Sequence, residues 1–241
     1  MPGIGTVINV TAIICGGLLG LNFGHLLKAR VQETLMVACG LGTMFLGIAG
    51  AIEKMLQVKN GQLTSGSSLM MILSLAIGGL LGELLNIEAY FESFGHFLKH
   101  KTGNSKDPAF TTAFVDASLV VCIGAMAIVG SINDGIYHKP DTLIAKALLD
   151  FVIIMVMTSA EGKGCIFSFV SVGLLQGSLT LLAHYIKPVM TAAALTNISL
   201  VGSVLIFCVG VNLLWGKKVR VANFLPALVV AWIFAFLPVI G

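Results

Sequence analysis

Long apolar stretches separated by short charged breaks dominate this sequence. Each stretch has about 20 mainly apolar residues, enough to cross a bilayer core of ~30 Å at ~1.5 Å per residue. Inside a bilayer every backbone N–H and C=O must be paired within the protein, and these runs are too long for barrel strands. We therefore predict an all-α polytopic transmembrane helical bundle, a single integral membrane domain over residues 1–241. The eight predicted spans are residues 4–26, 32–56, 67–86, 110–132, 142–159, 164–186, 193–215 and 221–240.

The composition supports a membrane protein. Of 241 residues, 57% are hydrophobic and 10% are charged, and the mean hydropathy is +0.99. Soluble domains carry roughly 45–50% apolar and about 25% charged residues. The five cysteines all lie in apolar stretches without CxxC spacing, which is typical of buried free thiols. We expect the lipid bilayer as the surrounding phase and, because there is no basic run, no nucleic-acid partner.

The distribution of basic residues predicts the orientation, because cytoplasmic loops are enriched in Lys and Arg. With both termini outside, nine basic residues fall on the inside and five on the outside. The inner residues are Lys28, Arg30, Lys99, Lys101, Lys106, Lys163, Lys217, Lys218 and Arg220. The outer residues are Lys54, Lys59, Lys139, Lys146 and Lys187.

The longest break contains a predicted amphipathic helix at about residues 87–101. Aromatic and apolar side chains recur there at helical spacing, with charged residues between them. Two arrangements fit this pattern. The helix either lies in the inner membrane interface or packs on its own bundle.

Polar side chains at membrane depth are the candidate ion- or substrate-binding residues, because such groups are costly in lipid and mark pathways or partners. They are Asn9, Ser131, Asp134, Lys146, Asp150, Gln176, Asn212 and Asn223. Whether they hold a metal stays open. Each amide could equally be a hydrogen-bonding link between helices.

Lys146 and Asp150 are four residues apart and so share one helix face. This pair is either a cation or proton site with its counter-charge, or a lysine that reaches the outer interface beside its partner. Asp134 lies in the polar segment 131–135, which looks like a helix end entering a turn. It is therefore either functional or bonded to terminal backbone groups.

Glycines form the second recurring feature. The sequence GGLLG occurs at residues 16–20 and again at 78–82, and its GxxxG spacing lets two helix backbones approach closely. This favours a homodimer. Glycines at 16–17 and 124–130 also predict broken helices, which line the binding sites of many transporters.

Enzyme motifs are missing from the sequence. It has no HExxH, GxSxG or Walker A pattern. We expect no enzymatic activity, no catalytic residue and no cofactor, and we expect that ATP does not drive the protein.

Several segments resemble a known bacterial family. They are Gly5–Asn9 with the following GGLLG, Cys122–Gly135, Lys146–Asp150, Gln176–Thr180 and Val221–Ala227. Together they resemble domain of unknown function 554, the YqgA/YdfK-like proteins. The resemblance implies a polytopic protein of the bacterial plasma (inner) membrane and gives weight to the polar positions within these blocks. It implies no particular activity, substrate or cofactor.

The leading hypothesis is a membrane transporter or channel for a small ion or polar solute. The main alternative is a non-transporting membrane scaffold or regulatory protein, for which glycine faces and interhelical amides would suffice. A third is an enzyme acting on lipid, with Glu161 and His184 as acid–base groups.

Overall fold

A computed structural model describes residues 2–24, 28–59, 62–123 and 125–237. The helices are α1 (Ile4–Gly24), α2 (Ala29–Met55), α3 (Ser68–Leu85), α4 (Ile87–Lys101), α5 (Phe110–Cys122), α6 (Ala125–Tyr137), α7 (Asp141–Glu161), α8 (Ser168–Leu181), α9 (Ala183–Ile186), α10 (Ala192–Trp215) and α11 (Pro226–Phe234). Short 3-10 turns cover Lys163–Phe167, Lys187–Val189 and Val221–Phe224. The prediction of an all-α polytopic bundle is confirmed.

The spans follow the predicted stretches closely. In the described part of the chain, six helical segments are long and apolar enough to cross a membrane: α1, α2, α3, α7, α10, and α8 with the turn before it. Helices α5 and α6 form a bent pair with an angle of 63° between them, and Val221–Phe234 is a shorter apolar segment. The count of eight spans stays a prediction, since it requires that both of these also cross.

Helices α1 and α7 run side by side in the same direction. Gly16 lies against the backbone of Phe151, and Gly20 lies one turn on against that of Met155. Both helices advance by four residues between these two contacts, which shows that they are parallel. The glycines on this face of α1 let the two backbones approach closely.

Two other helix pairs run in opposite directions. In α2 and α10, Gly40 lies against Leu214, whereas the later Gly47 lies against Phe207. In α3 and α11, Gly78 lies against Ala227, and Gly82 lies against Asn223 just before α11. In the predicted order, α2 and α10 are spans two and seven, and α3 and α11 are spans three and eight. Both pairs therefore have the directions that the predicted order requires.

The parallel packing of α1 and α7 also bears on the bent pair α5–α6. Two parallel spans must have an odd number of crossings between them. Helices α2 and α3 supply two, so the α5–α6 pair supplies the third if α4 stays at the interface. The helix directions thus favour one broken span rather than a re-entrant loop.

The predicted helix breaks are partly wrong. The break at Gly16 and Gly17 does not exist, because α1 is continuous and its glycines serve the contact with α7. A break does occur between Cys122 and Ala125, while Gly130 lies within α6. Gly124 itself is outside the described residues.

The glycines that prompted the homodimer prediction pack within the chain. Gly16 and Gly20 contact α7, and Gly78 and Gly82 contact the α11 region. These glycine faces are therefore already covered by helices of the same chain. They no longer support a homodimer, which stays a prediction.

Helix α4 has the predicted bounds, and of the two expected arrangements the packing on its own bundle is observed. Phe91, Phe94 and Leu98 pack against the main core, and Phe94 meets Phe114 of α5 edge-on, with ring centroids 5.8 Å apart. Tyr90 on the same helix is exposed. One face of α4 is thus bound to the bundle while another faces outward.

A two-stranded antiparallel hairpin between α2 and α3 was not predicted. Strand β1 (Leu56–Lys59) pairs with β2 (Gln62–Ser65). Each strand has only four residues, too few for a clear alternating pattern.

Candidate functional site

A buried polar bond joins α1 to α7. The side-chain amide of Asn9 donates to Asp150 Oδ2 across 3.0 Å, and the Lys146 ammonium donates to Asp150 Oδ1 across 2.8 Å. Asn9 is fully buried, and Asp150 and Lys146 are only 2% and 8% exposed. Lys146 is therefore held inside the bundle rather than extended toward the outer interface.

Asp134 bonds to the start of α1. Its Oδ2 accepts the backbone N–H of Gly5 across 3.0 Å, one of the first N–H groups of a helix, which have no partner within it. Asp134 lies inside α6, which continues to Tyr137, and not in a turn as predicted. It does satisfy a terminal backbone group, but that of another helix, where a negative charge also suits the helix dipole.

Helix α8 adds a polar face beside α6. Gln176 and Thr180 are one turn apart on α8, and Gly135 of α6 packs against the Thr180 carbonyl, where an added Cβ would lie 2.5 Å from the oxygen. Ser131 precedes Gly135 by one turn and so shares its face. Helix α8 also contacts α1 where Gly173 meets Val10.

Eight of the buried polar side chains of α1, α6, α7 and α8 therefore lie in one region of the bundle. We call this region the four-helix site. Its residues are Thr6, Asn9, Ser131, Asp134, Lys146, Asp150, Gln176 and Thr180. Six of them are among the predicted site residues. Thr6 and Thr180 were not, although each lies three or four residues from a predicted one, on the same helix face.

Several atoms of this site have no hydrogen-bond partner in the described structure. They are Thr6 Oγ1, Asn9 Oδ1, Ser131 Oγ, Asp134 Oδ1, both ends of the Gln176 amide, and Thr180 Oγ1. Asn9, Ser131, Asp134 and Gln176 have no exposed surface. A buried polar group without a partner costs about 1–3 kcal/mol, so the site holds polar capacity that the protein itself does not use.

The charges of the ionisable side chains in the four-helix site do not cancel. Lys146 and Asp150 form a neutral ion pair. Asp134 has only a backbone N–H and lacks a cationic partner among the described ion pairs. With all three ionised, the site has a net charge of −1.

Asn212 and Asn223 lie elsewhere, in a second group that we call the loop cluster. Asn212 Oδ1 accepts the N–H groups of Lys218 and Val219, each across 2.9 Å, and so closes the link after α10. Asn223 Oδ1 accepts the Glu88 N–H at the start of α4 across 2.7 Å. These two predicted site residues thus form hydrogen bonds that hold loops in place, and they do not join the four-helix site.

Ion pairs complete the loop cluster. Lys217 pairs with the buried Glu88 across 2.6 Å and with Glu92, and Arg220 pairs with Glu83 across 2.6 Å. Partial burial lowers the pKa of Lys217, but hydrogen bonds and attraction from Glu88 and Glu92 outweigh it and raise that pKa above its usual 10.5. The cluster thus ties α4 to the link between α10 and α11.

Asp116 was not among the predicted site residues. Its side chain lines a small cavity of about 30 Å³ with Glu88, Asn212 and Lys217 of the loop cluster. That volume admits about one water molecule. Only the position of an acid within an apolar stretch could have drawn attention to it.

A larger cavity of about 630 Å³ lies between α4, α5, α8 and α11. Its walls are mostly apolar, with Phe91, Phe94, Leu174 and Leu228 among the lining side chains. None of the four-helix site residues lines it. The cavity is thus a separate feature of the bundle.

The structure does not bring together the acid–base pair considered for a lipid enzyme. Glu161 ends α7, while His184 lies on α9, which packs beside the end of α6 and therefore near the start of α7. A helix of 21 residues separates the two ends by about 30 Å. In the described ranges no group of three or more His, Cys, Asp and Glu residues could hold a metal ion.

Comparison with known proteins gives the family. The model of DUF554, described as a protein of unknown function, matches residues 4–236. The chain belongs to this family. It is 29% identical over 232 residues to the uncharacterized membrane protein YdfK of Bacillus subtilis (strain 168), covering 96% of this chain and 95% of YdfK. It is 30% identical over 234 residues to the uncharacterized protein YqgA of Escherichia coli (strain K12), covering 95% and 94%.

No solved structure matches the chain significantly. Family membership over nearly the full length and the apolar helices together establish a multi-pass membrane protein. Its membrane helices are in contact with lipid.

Proposed function

We propose that this protein is a secondary transporter or channel that moves a small ion or polar solute through the four-helix site. The observation that carries the proposal is the gathering of buried polar side chains from α1, α6, α7 and α8, several with unused hydrogen-bonding atoms. Polar groups at membrane depth are costly, and they are retained where they serve a pathway or a partner.

The four-helix site is closed, which favours a mechanism of alternating access. Its central residues have no exposed surface, so a solute reaches them only when helices move apart. Helix α6 begins at the bend after α5 and carries both Ser131 and Asp134. We propose that α6 moves about this bend, because a broken helix can shift one half without disturbing the other.

An apolar layer forms the proposed barrier on the inner side. Ile13 follows Asn9 by one turn on α1, and Ile154 follows Asp150 by one turn on α7. Both side chains are fully buried in the main core, with Met157 beside them at 1% exposure. Such packed side chains exclude water, so the layer must open for a polar solute to pass.

The remaining assignments are also proposals. We propose a role in transport rather than catalysis, without a cofactor and without ATP. We place the protein in the bacterial inner membrane with both termini outside, in agreement with the basic residues of the loops.

Flux through liposomes tests the proposal. The purified full chain would be reconstituted and its transport of a panel of alkali cations, anions and small polar metabolites compared with protein-free vesicles. The variant Asp150→Asn removes one charge of the site, whereas Ser178→Ala on α8 removes an exposed hydroxyl whose single bond within the described ranges is to Leu175 of its own helix. We expect flux of at least one solute, at least ten-fold lower in Asp150→Asn and unchanged in Ser178→Ala. No flux across the panel, or equal flux in both variants, would exclude the proposal.

A further inference from the structure

We propose that the four-helix site binds one monovalent metal cation of the Na⁺ type, with the Asp134 carboxylate as its charged ligand. This inference rests on the proposed function and names the solute class that the site takes. It is argued from the charge balance of the site, from its unused atoms and from the geometry of Asp134.

Charge balance sets the valence. Asp134 and Asp150 against Lys146 leave one negative charge, all within residues that are at most 8% exposed. An uncompensated charge buried in a low-dielectric interior is strongly unfavourable. One monovalent cation brings the site to neutrality, whereas a divalent cation would leave an equal excess of positive charge.

The unused atoms set the chemistry of the ligand. Oxygen predominates: Thr6, Ser131 and Thr180 contribute hydroxyl oxygens, Asn9 and Gln176 amide oxygens, and Asp134 a carboxylate oxygen. Hard cations are bound by carboxylate, carbonyl and hydroxyl oxygens, and thiols or imidazoles are not needed. Neither a cysteine thiol nor a histidine ring belongs to this set.

A proton would meet these requirements less well than a metal ion. Protonated Asp134 could donate one hydrogen bond and so satisfy one further acceptor. The other amide and hydroxyl oxygens would keep no partner. A metal ion coordinates several oxygens at once, so it accounts for the charge and for the unpartnered oxygens together.

Asp134 has the geometry of a ligand that is already oriented. Its Oδ2 is fixed by the Gly5 N–H, and its Oδ1 has no partner among the described residues. Gly5 and Asn9 are one turn apart on α1, a rise of about 6 Å. The free oxygens of Asp134 and Asn9 therefore lie at neighbouring turns of α1.

The substitution Asp134→Asn separates charge from structure. An asparagine keeps an acceptor for the Gly5 N–H, so the start of α1 stays bonded, but the negative charge is lost. In this variant the site is neutral without a cation. We therefore expect the variant to fold and to lose the cation response.

The Lys146–Asp150 pair gives a second test of the charge argument. Asp150→Asn leaves Lys146 to balance Asp134, so the cation response should disappear although every proposed ligand remains. The double variant Lys146→Met/Asp150→Asn restores the net charge of −1, and the response should return. A merely structural role of Asp150 would not be reversed by removing Lys146 as well.

The experiment is thermal denaturation of the purified full chain in detergent, with NaCl or KCl against choline chloride at equal ionic strength. We expect an alkali cation to raise the Tm of the wild type and of Ser178→Ala, by roughly 5–10 °C at 100 times its Kd. Asp134→Asn and Asp150→Asn should show no shift, and the double variant should regain at least half of it.

A Tm that is equal in choline, sodium and potassium would overturn the cation site. So would stabilisation by Mg²⁺ or Ca²⁺ alone, or by acid alone, or an undiminished shift in Asp134→Asn. The test needs no transport, so its failure is distinct from that of the proposed function. Flux of an anion or metabolite together with no cation shift would keep the transporter and remove the cation, whereas a cation shift with no flux would do the reverse.

Discussion

Asn9 and Asp150 are 141 positions apart in the chain, yet the Asn9 amide donates to the Asp150 carboxylate across 3.0 Å inside the bundle. This bond is formed where α1 and α7 run in parallel, and Lys146 completes it from the preceding turn of α7. The first and fifth predicted spans are thus joined both by glycine packing and by a charge-assisted hydrogen bond.

Asn9→Ala should destabilise the protein. The change removes one donor from a buried carboxylate, and hydrogen bonds to charged groups contribute about 1.5–3 kcal/mol. We expect the Tm in detergent to fall by roughly 3–10 °C. The control is Thr11→Ala on the same helix, an exposed residue whose hydroxyl, in the part of the chain that the structure describes, bonds only to Val7 O. Equal Tm values for the two variants would show that the bond does not stabilise the fold.

Gly20→Ala should weaken the contact between α1 and α7. An added Cβ would overlap the carbonyl oxygen of Met155, and overpacking of this kind costs typically about 1–3 kcal/mol. Gly177→Ala on α8 is the matched control, because a Cβ there meets no atom of the described residues within 4 Å and alanine favours a helix by up to about 1 kcal/mol. Thermal denaturation of both variants checks this, and a Gly20→Ala variant as stable as Gly177→Ala would contradict the close packing.

Lys217→Met should destabilise the loop cluster, whereas Lys218→Met should not. Lys217 neutralises the buried Glu88, and Lys218 is outside the ion pairs found among the described residues. Since folding raises the pKa of Lys217 above 10.5, its stabilising effect is complete below that pH and is lost as the pH rises further. Tm measured against pH should therefore separate the two variants at neutral pH and bring them together in strong alkali. A constant difference at all pH values would argue against this ion pair.

The bent pair α5–α6 should cross the membrane once. In a background without the natural cysteines, Lys106→Cys and Lys139→Cys place single thiols before and after the pair, and both positions are exposed. A membrane-impermeant maleimide should label position 106 from the inside and position 139 from the outside, with Lys163→Cys labelled from the same side as position 106. Labelling of 106 and 139 from one side would identify a re-entrant loop.

The sequence predicts the helices well because hydropathy and length decide them. The bounds of α3, α4 and α10 lie within one residue of the predicted segments, since charged or turn residues interrupt each apolar run. The Lys146–Asp150 pair was also predictable, because a spacing of four residues places two side chains on one helix face regardless of the rest of the fold.

Partners across the fold could not be predicted in the same way. No spacing in the sequence relates Asn9 to Asp150 or Asp134 to Gly5, because these contacts depend on which helices pack together. Asn212 shows the opposite case. Its amide was predicted to join a site, yet its oxygen accepts backbone N–H groups of the loop that follows, at Lys218 and Val219.

The glycines show how one motif allows opposite predictions. Glycine weakens an isolated helix, which favours a break at Gly16 and Gly17. It also permits close helix contact, and here that contact keeps α1 continuous. Which effect prevails is decided by the partner helix, and the sequence of α1 does not name it.

Uptake of a radioactive alkali cation, sodium or potassium, into proteoliposomes tests the central claim most directly. Wild-type protein and Ser178→Ala should accumulate the ion down its gradient above protein-free vesicles, and Asp134→Asn should reduce that uptake at least ten-fold. Uptake at the level of protein-free vesicles in the wild type, or undiminished uptake in Asp134→Asn, would contradict the account.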